Sequence, residues 1–290
     1  MELRQLRYFL KAKELLNFTE AAKRLYITQS TLSQQIKQLE EELGQPLFNR
    51  IGKRIVLTEA GEMFATYAER SIKAAQDGMT LLEDLTELKT GVLSIGLTWG
   101  LKSLVLTPLK MFAQAHPGVK IEVTFGTTNE LIDYLLNQQI DFALTFFDGE
   151  HAENLHYEPL ITSEMALIVA SNSPLAQLPG IKLKEIEKLD LAMPVKGFST
   201  RNFIDRQFEK YKITPHIAVE VNHTSTVIDL VKVGAFQTIL THATVRGEEN
   251  LTAIPITDTN MQREAVIIQM KGSYQKRAVR VFVEMLMNEE

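Results

Sequence analysis

The chain contains no cysteine, and that absence removes more chemistry than any residue present. Disulfides, thiolate metal sites, cysteine nucleophiles and thiol-based redox sensing are all excluded. Long apolar runs are lacking too. Stretches such as 165–170 fall far short of the ~20 residues a membrane-spanning helix needs. No basic-then-apolar leader opens the chain, so a cytoplasmic location is expected. Histidines are few and scattered: His151 and His156 stand five apart in a polar stretch, a poor spacing for one helical face, with His116, His216, His223 and His242 elsewhere. No G-x-S-x-G, phosphate-binding loop or dinucleotide fingerprint occurs. Asp141 reads as a turn residue. The expectation is a protein without enzymatic activity, metal or cofactor.

What is present points to a multidomain globular chain. At 290 residues, 45% hydrophobic and 23% charged, two or three domains are expected. The net charge of −5 is unevenly spread. Residues 1–58 hold ten Lys/Arg against six acids, a surplus of four; the remainder holds twenty-one against thirty, a deficit of nine. A basic head on an acidic body suits a polyanion partner for the head alone.

The head reads as three short amphipathic helices. Leu3, Leu6, Phe9 and Leu10 share one face, continued by Leu15 and Leu16. Asn17 and Thr19 can cap a second helix, whose Ala21, Ala22 and Leu25 form a small apolar face suited to a close helix crossing. Tyr26-Ile27 makes a turn, and Thr28 can cap a third helix. There Leu32, Ile36, Leu39 and Leu43 recur at helical steps until Gly44 stops it. The opposite face of that helix opens with Gln29, Ser30, Thr31, Ser33, Gln34 and Gln35, all uncharged hydrogen-bonding groups. A merely solvated face would carry Lys and Glu, as Glu40-Glu41-Glu42 does two turns later. Amides can bond adenine bidentately and hydroxyls reach phosphates or base edges, so these residues suit a DNA groove. The acidic triplet must point away from DNA. Beyond it, 47–50 and 54–57 read as two strands around a glycine turn, with Arg50, Lys53 and Arg54 near the tip. That is a basic wing.

The run LRQLRYFLKAKELLNFTEAAKRLYITQSTLSQQIKQLEEELGQPLFNRIGKRIVLTEAG resembles the N-terminal domain of the LysR-type transcriptional regulators. It carries the elements AA-x-x-L, QS-x-x-S-x-x-I-x-x-LE and LF-x-R…LT-x-AG without a gap. One departure is Gln35, where many relatives have a basic residue; it favours amide contacts over phosphate binding. The resemblance implies a winged helix-turn-helix at 1–58, all-α with a β-hairpin wing. Its DNA-binding residues would be Thr28, Gln29, Ser30, Thr31, Ser33, Gln34, Lys37, Arg50, Lys53 and Arg54.

Thr58 can cap a long helix at 59–89. Within it Ala68, Ile72, Ala75, Met79 and Leu82 follow four-three-four-three steps, with Leu85 three further on, a heptad-like seam unbroken by proline. Such a seam packs on its own chain or on a second copy. The resemblance implies the latter, a dimerisation helix.

At Gly91 the pattern changes to alternating strands and helices. Strands are expected at 92–97, 119–125, 141–147, 164–170, 191–193, 216–221 and 237–241. Helices are expected at 101–116, 128–138, 183–188, 200–211, 225–233 and 274–287. The alternation predicts mostly parallel sheets flanked by helices. Two units in series predict two α/β lobes within 90–290: 90–160 plus 260–290, and 161–259, with crossings at 148–158 and 245–257. The marks VLSIGL, FAQAHPGVKIEV, LIDYLLNQQIDFAL and VIDLVKVGAFQTILT are similar to the LysR effector domain, a fold shared with periplasmic solute-binding proteins. Phe236 and Thr241 depart from the glycine and proline usual there.

In open α/β sheets, ligands sit beyond strand carboxyl ends, where helix N-termini present free N–H groups. That rule marks Thr98, Trp99, Gly100, Thr127, Thr128, Thr145, Ser199 to Arg201, Asn222 to Thr224, and Thr241, matching the family's effector site. Lys102, Lys196, Arg201 and His223 are the candidate cations. Hydroxyls, helix N-termini and a cation suit a small anion, although Thr and Ser are equally ordinary as helix caps. The expected partners are double-stranded DNA, a small-molecule effector, a second copy (as a dimer or dimer of dimers) and RNA polymerase. The alternatives are a cytoplasmic solute-binding protein and a ligand-independent DNA-binding protein. Neither accounts for a winged head together with two hundred residues of α/β lobes.

Overall fold

The computed structural model describes residues 1–51, 54–84, 90–147, 149, 151–272 and 274–288. The side chains of Arg50, Ile51, Arg54, Asp77, Thr80, Leu81, Glu83 and Asp84 lie outside that description. Two compact units emerge, Met1–Glu87 and Leu88–Glu290.

The first unit contains α1 (Leu3–Leu15), α2 (Phe18–Arg24), α3 (Gln29–Leu43), β1 (Phe48–Ile51), β2 (Arg54–Leu57) and α4 (Glu59–Asp84). Caps set its boundaries. Asn17 Oδ1 accepts from the N–H groups of Thr19 and Glu20, and Thr28 Oγ1 accepts from that of Thr31 at 3.1 Å. Leu16 and Tyr26 take left-handed φ values of 47° and 56° to turn the chain between helices, and Gly44 at 68° closes α3. Phe9, Phe18, Phe48 and Phe64 form a tilted ring cluster with centroids 5.4–5.5 Å apart, around which Leu6, Ala21, Leu32, Ile36 and Leu39 are buried. Glu40 has a part that its charge did not announce: Oε1 accepts from the N–H groups of Leu47 (2.8 Å) and Phe48 (3.1 Å), anchoring the root of the hairpin.

The seam on α4 divides. Ala65 and Ala68 are buried in the unit's own core and Ile72 packs beside it. Met79 and Leu82 are 55% and 65% exposed, while Ala75 is half-buried. The seam's first positions therefore serve the head itself, and its later ones present an apolar surface. Leu85 lies outside the described residues.

The second unit runs β3 (Gly91–Leu97), a short turn of helix at Trp99–Leu101, α5 (Lys102–Ala115), β4 (Val119–Phe125), α6 (Thr128–Leu136) and β5 (Phe142–Phe146). Then come β6 (Leu155–Ala170), β7 (Asp190–Pro194), α7 (Ser199–Tyr211), β8 (His216–Val221), α8 (Thr224–Lys232) and β9 (Thr238–Thr241). The chain ends with α9 (His242–Val245), β10 (Leu251–Pro255), β11 (Gln262–Met270) and α10 (Arg277–Met287). The main sheet has the order β10-β6-β11-β5-β3-β4, with β9 also on β6, while β7 and β8 pair separately.

Four expectations are corrected by the structure. The sheets are not mostly parallel: four pairings among these strands are antiparallel against three parallel. The strand expected at 164–170 is sixteen residues long and begins at Leu155, inside a stretch expected to be a crossing. β10 lies inside the other expected crossing, and β11 has no counterpart among the expected strands. The cause is common to these cases. Leu155–Ser163 interleaves His156, Glu158 and Pro159 with its apolar residues, and its register against β11 shifts at Ala265/Val266, so no clean alternation survives. The 183–188 helix is a 3-10 turn.

Two cores result. Leu93, Leu97, Val105, Phe112, Phe142, Ala265, Ile267 and Phe282 fill one lobe. Met165, Leu167, Leu191, Met193, Ile204, Phe208 and Met261 fill the other. β6 contributes to both, and β11 enters the first directly after Met261, which belongs to the second. Asp141 is indeed structural: Oδ2 accepts from the Ser94 N–H at 2.8 Å and Oδ1 pairs with Lys276 at 2.9 Å, both side chains nearly buried.

Candidate functional site

Between the lobes lies a chamber built at strand-to-helix junctions. Thr98, Trp99 and Gly100 follow β3, Gly126 and Thr127 follow β4, and Phe146 ends β5. The facing wall is Pro194, Phe198, Ser199 and Thr200 around the start of α7, with Thr224, Leu240 and Thr244. Its free volume is only ≈ 20 Å³, about one water molecule: the cleft is closed. A larger groove of ≈ 970 Å³ adjoins it, sharing Trp99, Thr224 and Thr244 and bordered by Lys102 and Arg246.

Local interactions shape the walls. Thr127 and Glu130 form a reciprocal cap on α6, the Thr127 N–H donating to Glu130 Oε2 at 2.7 Å and the Thr127 hydroxyl at 2.8 Å. Trp99 stacks on Phe125 at 4.1 Å and tilts over His223 at 4.7 Å, where His223 Nδ1 meets Ser225 Oγ. Thr244 Oγ1 donates to the Gly100 carbonyl at 3.3 Å; a Cβ on Gly100 would lie 3.0 Å from that hydroxyl, so glycine is what lets the walls meet.

Thr98, Trp99, Gly100, Thr127 and Thr224 line the chamber. Thr128 and Thr145 are instead bonded to each other at 2.7 Å, with Thr145 fully buried. Thr241 is also fully buried and spends its hydroxyl on Thr244. Asn222 is exposed.

Arg201 requires a correction. It is 3% exposed, donates to Asp205 Oδ1 and the Pro194 carbonyl at 2.8 Å each, and pairs with Glu220. Burial works against its charge, but Asp205 and then Glu220 outweigh it and hold its pKa above the ordinary value. With two carboxylates neutralising it, Arg201 is a rivet of its lobe and not the cleft's cation. Lys102 and Lys196 are exposed, which leaves their charge to water, and His223 is exposed as well.

Sequence reasoning missed Gly126, Phe146, Pro194, Phe198, Leu240 and Thr244 as wall residues, and it missed Arg263. The guanidinium of Arg263 donates to Thr200 Oγ1 at 3.3 Å, and its side chain is 2% exposed. Gly126 and Phe146 stand at strand ends and were within reach of the junction rule. Arg263 was not, because its strand was unrecognised.

On the head, Thr28, Gln29, Ser30, Thr31, Gln34 and Lys37 are exposed, and Ser33 is half-buried. The hydroxyls of Ser30 and Thr31 both meet Thr28 Oγ1 within 2.9 Å. Gln29 and Gln34 make no such side-chain bond. Gln35 Nε2 donates to Gln38, and Lys37 pairs with Glu41 at 3.4 Å on the surface. β1 and β2 pair with Arg50 opposite Ile55 and Ile51 opposite Arg54. Lys53 lies outside the described residues, as do the side chains of Arg50 and Arg54. Among the described residues no group of three or more His, Asp or Glu could hold a metal ion, and no helix is long and apolar enough to cross a membrane.

A helix-turn-helix with an amide-rich exposed face, joined in one chain to a two-lobed α/β unit with a chamber between its lobes, is the build of a ligand-sensing transcription regulator. The model of bacterial regulatory helix-turn-helix proteins of the lysR family matches residues 3–62, and that of the LysR substrate binding domain matches residues 86–290. The chain belongs to the LysR family and is a LysR-type transcriptional regulator. It is 32% identical to the HTH-type transcriptional regulator YwqM of Bacillus subtilis (strain 168), over 98% of each chain. Full-length CbnR, solved as a complex with its target DNA, is 25% identical, with a TM-score of 0.76 and 99% of each chain covered. The regulatory domain of CcmR from Synechocystis PCC6803, solved in complex with 2-PG, is 18% identical with a TM-score of 0.62, covering 68% of this chain and 96% of that one.

The Thr127–Glu130 cap has a pH signature. Glu130 is held below its ordinary value of 4.5 by the Thr127 backbone N–H first and its hydroxyl second. A carboxyl lowered by folding stabilises the fold fully above its ordinary value, and that contribution is lost as pH falls through the lowered one. Glu130→Gln should therefore lose less stability than wild type between neutral and strongly acid pH, read from urea midpoints. Equal losses in both proteins would remove the cap from the acid response.

Proposed function

We propose that the head binds DNA sequence-specifically and that a small, anionic effector in the cleft tunes that binding. The observation that carries the first half is the exposed, uncharged start of α3. Gln29 and Gln34 project amides that no neighbouring side chain occupies, the chemistry that reads base edges. Thr28, Ser30, Thr31 and Ser33 would reach phosphates or base edges, and Lys37, Arg50, Lys53 and Arg54 the DNA backbone. The surplus of positive charge within 1–58 supports the same reading.

For the effector, the support is the convergence of three helix N-termini, those of α6, α7 and α8, around the chamber walls, together with the hydroxyls of Thr98, Thr127, Thr200 and Thr224. Oriented N–H groups and partial positive charge favour an anion. A ligand shifts the regulator only by its differential affinity for two states. The closed chamber must open to admit one.

We further propose that the exposed end of the α4 seam, at Ala75, Met79 and Leu82, pairs two copies into a homodimer. Dimers then associate in pairs, and the DNA-bound assembly meets RNA polymerase in the cytoplasm. Ala68 and Ile72 support that interface from within the head's core.

Three measurements test these readings. Replacing Gln34 with alanine should lower the ratio of cognate to scrambled DNA affinity by about 1–3 kcal/mol in gel shifts; an unchanged ratio takes Gln34 out of base reading. The double substitution Ala75→Glu and Met79→Lys should yield monomers by sedimentation and much weaker DNA binding, whereas persistent dimers place the interface elsewhere. Finally, thermal unfolding screened against small anions, 2-PG first among them, should find one that raises Tm. At a hundred times its Kd a ligand adds about 2.7 kcal/mol, and a screen in which only neutral compounds stabilise the protein would rule out the anionic reading.

A further inference from the structure

The turn that joins α2 to α3 places a tyrosine where the backbone favours glycine. α2 closes with a pair of bonds: the Tyr26 N–H donates to the Lys23 carbonyl at 3.2 Å and the Ile27 N–H to the Ala22 carbonyl at 3.0 Å. That closure needs a left-handed residue just beyond the helix cap, Leu25, which glycine supplies without steric cost and asparagine with little. Tyr26 stands there with a φ of 56°. A bulky side chain on a left-handed backbone is strained, and such strain points to a use other than folding stability.

Packing does not account for the ring. Tyr26 is 96% exposed, more than any other large apolar or aromatic side chain among the described residues. Its neighbours Leu25 and Ile27 pack against the core of the head, and Tyr26 does not. Its ring and hydroxyl have no hydrogen-bond, ion-pair or ring partner among the described residues. The place of the turn supplies a role. Tyr26 lies two residues before Thr28, whose hydroxyl caps the start of α3. It also lies two after Arg24, an exposed cation without an ion pair among the described residues. In a helix-turn-helix the second helix enters the major groove by its N-terminal end while the first crosses the backbone. The turn between them therefore passes over the phosphates at the edge of the groove.

We propose that Tyr26 is a phosphate-contacting residue, its hydroxyl donating to a DNA backbone oxygen beside the base pairs that the start of α3 reads. The inference rests on the DNA-binding reading of the head and adds to it a residue outside both α3 and the wing. Tyrosine hydroxyls are ordinary donors to phosphate, and such a contact fixes the protein's register on the duplex without reading sequence. A ring carried on a short, hydrogen-bonded turn loses little freedom on binding, because only two side-chain torsions remain to be fixed. The contact is also uncharged, so unlike one from Lys or Arg it displaces no condensed counterion.

The full chain is titrated by fluorescence anisotropy with two labelled duplexes, one of random sequence and one from the DNA upstream of its own coding region. Tyr26→Phe removes the hydroxyl alone. It should melt with wild type and weaken both duplexes by about tenfold, the loss of one hydrogen bond to a charged group. Its log–log salt slope should match that of wild type, whereas losing a cationic contact would flatten the slope by about 0.9. Tyr26→Gly should bind at least as weakly as Tyr26→Phe and yet unfold at no lower temperature, because glycine relieves the left-handed backbone. Wild-type affinity in Tyr26→Phe overturns the proposal, as does a loss confined to one duplex or a flattened slope. A Tyr26→Gly variant that unfolds at a lower temperature overturns it too, by making the ring a brace of the turn. Normal binding by Tyr26→Phe while Gln34→Ala loses specificity defeats this inference alone. A wild-type chain that binds neither duplex defeats the DNA-binding reading with it.

Discussion

The antiparallel pairing of β6 with β11 is the constraint on which the second unit depends. β6 feeds both cores and β11 pairs along it, starting directly after Met261 of the second core and running into the first, so the lobes share one hydrogen-bonded ribbon and are not merely joined by loops. A ribbon satisfies its own backbone polar groups while passing from one core to the next, which an irregular crossing could not do without solvent or side-chain partners. It also fixes what stands at the crossing point. Arg263 and Ser163 occupy facing positions there, and Ser163 Oγ accepts from the Ala243 N–H at 3.1 Å, tying α9 to the ribbon.

From that frame the closed cleft follows. Ser103 donates to the Ala243 carbonyl and Thr244 to the Gly100 carbonyl, so short polar bridges link α9 to the first lobe across the back of the chamber. Each is a neutral hydrogen bond of modest net worth, about 0.5–1.5 kcal/mol. Contacts of that size suit a cleft that must open for a ligand and close again. The heavier electrostatics are placed elsewhere: Arg201 with Asp205 and Glu220, and Lys276 with Asp141, hold individual segments and leave the chamber wall neutral.

In the head, the same division between structural and available groups recurs at smaller scale. Glu40, one of three consecutive acids, is committed to the backbone of the hairpin root, Glu41 pairs with Lys37, and Glu42 pairs with the chain's amino terminus. The triplet's charge is thus largely internal to the unit. The α3 residues left exposed without side-chain bonds, Gln29 and Gln34, are neutral amides.

The helix-turn-helix was legible because its signals are local. Caps at Asn17 and Thr28, the glycine stop at Gly44, and apolar steps of three and four all act within a few residues. The strand-to-helix alternation of the lobes was legible for the same reason, and so were the chamber residues Thr98, Trp99, Gly100, Thr127 and Thr224, which stand where that alternation turns. Tertiary structure alone decided the rest. β11 finds its partners in β6 and β5 about a hundred residues or more away. The seam on α4 is core at Ala68 and surface at Met79, though both sit at equivalent helical positions. Arg201, expected at the cleft, is held instead within its own lobe. Asp205, one helical turn on, is a local partner, but Glu220 and the burial of the Arg201 guanidinium come only from long-range packing, which sets β8 and β7 against α7.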